Sequence, residues 1–369
     1  MKKLRILHLI AKWGRPTDVI HDYIGSLNPG RFESILCSLG RAPDQTFIPE
    51  GFSLHFLGYG PEEIKGFNPF IILKLKRLML EKDIDILHCH KYKSILYGTL
   101  AAMMCRGRDL KVIARVGSMR RSRTLNRRIT NRLIFPRITK IMAISQGVRQ
   151  DVLRFNRFLD PQKVVVIHNG IHLERFPFRD LMEQREEWPV LGTVGRLVHT
   201  KGQTYLLQAF SQVHKKYPGA RLLFAGAGPL LNDLKKEAEI LGIAERVHFL
   251  GFQSEVSNFL KQLDLFVFPS LAEGFGLAVV EAMATGLPVV ASRVGGIPEI
   301  LNGQPCGRLV EAADAAGLAR AILDLLSRGE QGLAELGIMG RRRVEEGFHV
   351  QRMVKDIENL YLIMMDGSS

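Results

Sequence analysis

Two carboxylates, Glu273 and Glu281, flank a Gly-Phe-Gly loop that opens an apolar stretch, in Pro269-Ser-Leu-Ala-Glu273-Gly-Phe-Gly-Leu-Ala-Val-Val-Glu281-Ala-Met-Ala-Thr-Gly286-Leu-Pro288. An apolar segment bound for a core has no structural use for two acids. The glycines allow the backbone to come close to a ligand. A helix starting after them points its first N–H groups at whatever lies there, which favours an anion. The element therefore offers an anion cradle with an acid on either side. It suits a ligand with phosphate in its middle and hydroxyls at both ends, such as a nucleotide-sugar.

Other residues could serve the same ligand. Arg196 and Lys201 stand five apart in Gly195-Arg196-Leu-Val-His-Thr-Lys201-Gly202, after an apolar run. Arg gives phosphate a bidentate fork and Lys adds a mobile point charge. Gly226-Ala-Gly228-Pro229 lacks the third glycine of a dinucleotide fingerprint and reads as a tight strand-to-helix turn. Main-chain groups at Gly251 and Phe252 could read a nucleobase edge. Gly14, in Trp13-Gly14-Arg15, would let backbone approach phosphate. His88 and His90, at i and i+2, share one strand face; a metal there needs further ligands, and none stands at suitable spacing. His90 is expected to face the cleft and meet the sugar or the acceptor. No Ser-His-Asp or Cys-His grouping points to a hydrolase. The diphosphate charge is expected to be met by Arg196, Lys201 and a helix N-terminus, with no metal and no bound cofactor.

These residues fall just after short β-rich runs. Strands are expected at Arg5–Ile10, Glu33–Ser38, Ser53–Leu57, Ile84–His88, Lys111–Arg115, Lys140–Ile144 and Val164–Ile167. A second series comprises Val190–Val194, Ala220–Ala225, Val247–Phe249, Leu265–Phe268, Pro288–Ala291 and Gly307–Val310. Helical patterns alternate with them, at Pro69–Lys82, Gln146–Phe155, Gly202–Lys216, Leu230–Leu241, Val256–Gln262, Leu277–Thr285, Ile297–Leu301 and Ala315–Ser327. Such alternation argues for an α/β fold with parallel sheets. A chain of 369 residues suggests two domains. We expect them at 1–175 and 188–345, joined by the polar stretch Glu174–Trp188. A periodic segment at 351–365 should form a last helix that packs back on the first domain. Two tandem sheets leave a cleft, with ligands at the carboxyl ends of the strands.

Charge is uneven. The net charge is +14, and Arg106–Lys140 holds twelve basic residues and one acid, Asp109. The stretch Arg115–Lys140 reads as a patch for an anionic membrane surface. Nucleic acid is the weaker alternative, since no recognisable binding module or aromatic interleaving accompanies the charge. No apolar run approaches the length needed to span a bilayer. The N-terminus begins like a signal peptide, but His8 interrupts the apolar part and it reads as a strand. Four scattered cysteines fit a reduced compartment. A cytoplasmic protein, peripheral on the inner face of the membrane, is the expectation.

Taken in order, the motifs resemble a known family. The pieces are Val-Gly195-Arg196 with Lys201-Gly202, then Gly226-Ala-Gly228-Pro, then Phe-Leu-Gly251, then the Glu273…Glu281 element, then Gly295-Gly296-Ile-Pro-Glu299. Ala143-Ile-Ser145 and Ile167-His-Asn169-Gly170-Ile extend the likeness into the first half. The chain is similar to the retaining GT-B glycosyltransferases of family four. That resemblance implies two Rossmann-like domains, the first binding the acceptor and the second the nucleotide-sugar donor. It implies that Glu273 contacts hydroxyls of the donor sugar. Phe275, Gly276 and Leu277 would present main-chain N–H groups to sugar and phosphate, and Glu281 would bind ribose. Arg196 and Lys201 would stabilise the leaving diphosphate, Gly14 would approach it from the other domain, and the base would lie near Gly251 and Phe252. The donor would be a uridine, guanosine or adenosine diphosphate sugar. The acceptor would be a membrane-associated glycolipid or polysaccharide of the lipopolysaccharide or exopolysaccharide type. Retention in the family is usually explained by attack from the leaving-group face.

The first half departs from the family's pattern. Trp13-Gly14-Arg15-Pro16 stands where many relatives have a glycine pair, and Arg115-Val-Gly117-Ser118 where many have a histidine. Arg115 or His90 would substitute for that histidine. A sugar-nucleotide epimerase of the same fold is the alternative activity.

Overall fold

In the computed structural model, the described residues are 3–12, 19–42, 53–105, 107–119, 124–179, 188–301, 303 and 305–367. The chain divides into two compact units. One is Met1–Gly170 with Val350–Ser369, and the other is Ile171–His349.

The first unit runs β1 (Leu4–Ile10), α1 (Val19–Gly25), β2 (Phe32–Gly40), β3 (Ser53–Tyr59), α2 (Pro61–Lys65), α3 (Pro69–Glu81), β4 (Ile86–His90), α4 (Tyr92–Met103), β5 (Lys111–Val116), α5 (Leu125–Ile134), β6 (Lys140–Ala143), α6 (Gln146–Phe155) and β7 (Val164–Val166). Its seven strands are parallel in the order β3-β2-β1-β4-β5-β6-β7. The central strands are mostly buried on both faces, as a parallel sheet covered by helices requires. Alternation along β1 and β4 sends Leu7, Leu9, Leu87 and Cys89 to one face and His8, His88 and His90 to the other.

The second unit runs β8 (Val190–Val194), α7 (Gln203–Lys216), β9 (Arg221–Ala225), α8 (Leu231–Ile240), β10 (Val247–Phe249), α9 (Val256–Leu260), β11 (Leu265–Phe268), α10 (Leu277–Ala284), β12 (Val289–Ser292), α11 (Ile297–Leu301), β13 (Gly307–Val310), α12 (Ala315–Leu326) and α13 (Gly329–Gly347). Its sheet has the order β10-β9-β8-β11-β12-β13, again all parallel. Leu191, Leu206, Phe210, Phe224, Val267 and Ile322 belong to its buried core. The chain then returns to the first unit as α14 (Val350–Met365), which packs on α1.

Every expected strand forms within two residues of its expected ends. Helix α13 has no counterpart among the helical patterns read from the sequence, because five glycines interrupt it. One of them, Gly337, allows a close backbone approach. A Cβ on Gly337 would lie 2.0 Å from the carbonyl oxygen of Gly286, at the end of α10.

In both sheets the strand order reverses beside the first strand. That point lies between β8 and β11 in the second unit and between β1 and β4 in the first. Ligands bind at such switch points, outside the carboxyl ends of the strands.

Candidate active site

At the switch point of the second sheet, the loops after β8 and β11 emerge side by side. The Leu271 N–H donates to the Thr200 carbonyl at 2.9 Å and ties them together. The β8 loop turns sharply at Gly202, whose φ of +67° is left-handed. A Cβ there would lie 2.0 Å from the Pro269 carbonyl oxygen, so only glycine fits. This contact sets how near the cation-bearing loop comes to the acid-bearing one.

Lys201 and Glu273 meet across that junction. Lys201 Nζ donates to Glu273 Oε2 at 2.5 Å, and both side chains are half-buried. Glu273 Oε1 accepts from the Gly274 N–H at 3.1 Å. The Lys201 ammonium also lies 4.9 Å from the centre of the Phe268 ring, in cation–π range. Phe268 and the Gly274 contact were not read from the sequence; Phe268 ends a strand and looks like plain core there. Arg196 is exposed, and its carbonyl accepts from Gln203 Nε2 at 2.8 Å, which braces its loop on α7.

Gly276, at φ +110°, caps α10. Leu277 and Ala278 follow in its first turn, where helix N–H groups have no partner within the helix. Leu277, Ala278 and Glu281 are the half-buried positions of α10 before its buried last turn. They share one face of the helix, with Glu281 one turn beyond Leu277. Phe275 points the other way and packs edge-on against Phe348, at 5.7 Å between centroids.

After β10, Gly251 adopts φ +68°. Its carbonyl accepts from the Gly226 N–H at 2.7 Å, so that oxygen is engaged within the protein. Phe252 is 59% exposed, more than a core ring should be. Loops after β8, β9, β10 and β11 thus bring Arg196, Lys201, Gly251, Phe252 and Glu273 to one edge of one sheet, with Glu281 on the adjoining helix.

In the first unit the outcome differs. Gly14 lies outside the described residues, as do Arg15, Arg120, Arg121 and Arg123. His90 is fully buried and has no surface to offer a ligand, which corrects the expectation that it meets sugar or acceptor. It sits in a closed cluster with His8, His88, Tyr23 of α1 and Tyr361 of α14. His90 Nε2 lies 3.4 Å from His8 Nδ1 and 3.1 Å from the Tyr23 hydroxyl. His88 Nδ1 lies 2.7 Å from the Tyr361 hydroxyl. Burial holds His8 at a pKa of about 3 and pushes His88 and His90 well below the ordinary range, with the neighbouring rings and Arg115 adding to it. All three rings are neutral at physiological pH. Burial likewise raises the Tyr361 phenol well above its usual range.

Sequence spacing gave His88 and His90 no third ligand, yet β1 supplies His8 next to them. One ring nitrogen from each lies within 4.8 Å of the others. His88 and His90 stack at 4.3 Å and 25°, and His8 stacks on His90 at 20°. A dication among them would, however, be buried without a carboxylate in the cluster. The arrangement is that of a packed neutral cluster, braced by two tyrosines.

Arg115, at the end of β5, is buried and donates from Nη2 to Asn169 Oδ1 at 2.7 Å. At the switch point itself stands Lys91, exposed and at φ +70°, a conformation rare for a side chain of this size. Nothing in the sequence marks it; strain of this kind is visible only in the backbone. One Asp-x-Asp spacing does occur, Asp83-Ile84-Asp85. It lies just before β4, at the opposite end of the sheet from the switch point. Asp83 pairs with Arg108, and Asp85 Oδ2 accepts from the Arg5 N–H at 2.9 Å, so the pair is structural.

Comparison with known proteins agrees with this geometry. Residues 19–175 match the sequence profile of Glycosyltransferase Family 4, and residues 178–339 match that of Glycosyl transferases group 1. The UDP-Gal:alpha-D-GlcNAc-diphosphoundecaprenol alpha-1,3-galactosyltransferase of Escherichia coli is 27% identical over 309 residues, which is 80% of this chain and 79% of that one. The N-acetyl-alpha-D-glucosaminyl L-malate synthase of Bacillus anthracis is 27% identical over 78% of this chain and 77% of its own. Among solved structures, Anabaena HepE, crystallised with UDP and glucose, superposes with a TM-score of 0.78 at 19% identity, covering 97% of this chain and 99% of that one.

Proposed function

Because this chain belongs to glycosyltransferase family 4, with a group 1 domain as its second half and the GT-B fold, and is therefore a glycosyltransferase, we propose that it is a retaining, metal-independent enzyme taking its sugar from a uridine diphosphate sugar. We further propose a membrane-associated acceptor, a lipid-linked or polysaccharide glycan of the lipopolysaccharide or exopolysaccharide type. The observation that carries this is the Lys201–Glu273 pair, 2.5 Å apart at the switch point and beside the opening turn of α10.

The chemistry follows from those groups. The acceptor hydroxyl attacks the anomeric carbon on the face the diphosphate leaves. The bond from that carbon to the diphosphate oxygen breaks, and the hydroxyl proton passes to a diphosphate oxygen. Negative charge grows on the diphosphate as it departs. Arg196, Lys201 and the N–H groups at the start of α10 meet it in this reading, and such preorganised groups are each worth roughly 2.7–4 kcal/mol elsewhere. Glu273 is already engaged by an ammonium and a main-chain N–H. A carboxylate so held is a poor nucleophile and a good fixed acceptor for sugar hydroxyls. Glu281, one turn along α10, takes the ribose hydroxyls, and Phe252 lies where the base would stack.

Support for uridine and for a lipid-linked acceptor comes from the Escherichia coli relative, which by its name uses UDP-Gal and a diphosphoundecaprenol-linked sugar. The Bacillus anthracis relative, by its name, joins a sugar to L-malate, so a small acceptor is the competing case. Among the described residues no helix is long and apolar enough to cross a membrane. A peripheral mode of attachment, with the protein on the cytoplasmic face, fits that and the basic residues of Arg115–Lys140.

A panel of nucleotide-sugars, each offered with a polyprenyl-diphosphate-linked sugar or with small hydroxy acids, tests the proposal by mass spectrometry. Transfer from a UDP-sugar to the lipid-linked acceptor, with the anomeric configuration kept and activity unchanged in EDTA, is the expected result. Transfer only to small acids, inversion, or loss of activity in EDTA refutes the corresponding part.

A further inference from the structure

Helix α5 is amphipathic in the wrong sense for a helix on a water-facing surface. Its buried residues are Asn131 and Ile134, whereas Leu125, Ile129 and Leu133 are 69%, 55% and 68% exposed. At 3.6 residues per turn, these three positions share an outward arc of about 80°. An ordinary surface helix turns its apolar stripe to the core. Single exposed hydrophobes are common, but a stripe of three large ones on one short helix is not.

The stripe has a cationic border along one side. Arg128 and Arg132 are exposed beside it, and Arg137 follows just after the helix. The Arg127 guanidinium is steadied over the Tyr92 ring at 4.8 Å, and that of Arg132 over Phe158 at 5.7 Å. From Thr124 to Lys140 there is no acidic residue at all. Helix α4 packs against both α5 and α3. On α3, Phe70 and Leu73 are also exposed, next to exposed Lys74 and Arg77.

An apolar stripe bordered by arginines, without acids, matches one environment: the boundary between anionic headgroups and acyl chains. We propose that α5 is an interfacial membrane helix, lying flat in an anionic bilayer with Leu125, Ile129 and Leu133 among the acyl chains and Arg128 and Arg132 at the phosphates. At ten residues it is about 15 Å long and cannot span. The inference rests on the membrane-associated acceptor proposed above and adds a mode of attachment. Charge alone gives binding that salt reverses, whereas insertion resists salt.

The test uses the full chain with vesicles of phosphatidylglycerol and phosphatidylcholine, against pure phosphatidylcholine. All four native cysteines are buried, so an Ile129→Cys variant takes an environment-sensitive dye at that site. The dye should shift blue on anionic vesicles and be quenched by lipids brominated in their acyl chains, and it should stay shifted in 0.5 M salt. Replacing Leu125, Ile129 and Leu133 together with serine should lower vesicle partitioning at least tenfold, with unchanged circular dichroism. Arg128→Gln with Arg132→Gln should lower it about thirtyfold at low salt, the effect of two headgroup contacts at about 1 kcal/mol each. Binding that salt abolishes, with no dye shift, overturns insertion and leaves the membrane reading standing. Failure to bind either vesicle overturns both. A dimer that the triple serine variant dissociates, without vesicle binding, assigns the stripe to self-association and overturns the proposal.

Discussion

Mild acid should destabilise the first unit, because it encloses three neutral histidines. His8, His88 and His90 are fully buried, and burial lowers the pKa of each. A group whose folded pKa is depressed stays neutral in the native state while the unfolded chain takes up a proton. The unfolded state then binds more protons, so stability falls as pH drops through the unfolded value of about 6.5. For His8 that loss continues to about pH 3. Between pH 7.5 and 5.5 each ring costs on the order of 1 kcal/mol, and three together a few kcal/mol. Against a typical stability of about 5–15 kcal/mol, that is a large fraction. Urea denaturation at several pH values, combined with hydrogen exchange in peptides covering β1 and β4, measures it. His8→Leu should reduce the pH dependence by about a third, since one proton-linked site is removed along with a ring nitrogen that has no partner. A loss below about 1 kcal/mol over that range, or an unchanged slope in His8→Leu, would show that the rings are already charged or reached by water.

Further outcomes are expected at the donor site. Arg196→Ala and Lys201→Met should each lower turnover about 10²–10³-fold, measured in steady-state assays, with a smaller change in KM for the donor. Glu281→Ala should weaken UDP binding about 10–100-fold by calorimetry, as expected for loss of hydrogen bonds from a charged group; unchanged affinity would remove Glu281 from the ribose site. Gly202→Ala should depress activity about 100-fold while the protein stays folded, because a Cβ 2.0 Å from the Pro269 carbonyl must push the two loops apart. Gly337→Ala, lodged against Gly286, should instead lower thermal stability of the second unit by about 1–3 kcal/mol and leave the donor KM of the folded fraction intact.

Strand positions and most helices were legible in the residue pattern, since β-branched runs bounded by glycine and proline have few other uses. The residues assigned to the candidate site stood out too, because acids, cations and glycines in apolar surroundings suggest a ligand. Their partners did not. That Lys201 reaches Glu273, 72 residues away, depends on β8 and β11 being neighbours in the sheet. Sheet order is a long-range choice that no local pattern encodes. The same applies to His8, which β-pairing delivers to His88 and His90, turning a supposed ligand contact into packed core. Helix α13 stayed hidden because five glycines break its helical pattern, and the close backbone approach that one of them, Gly337, serves exists only after folding. The inverted helix α5 could be read as basic from sequence, but which of its sides faces water was decided by packing. Local chemistry, then, was fixed by residue type and spacing. Which groups touch, and which sides are left uncovered, came from tertiary contacts between segments far apart in the chain.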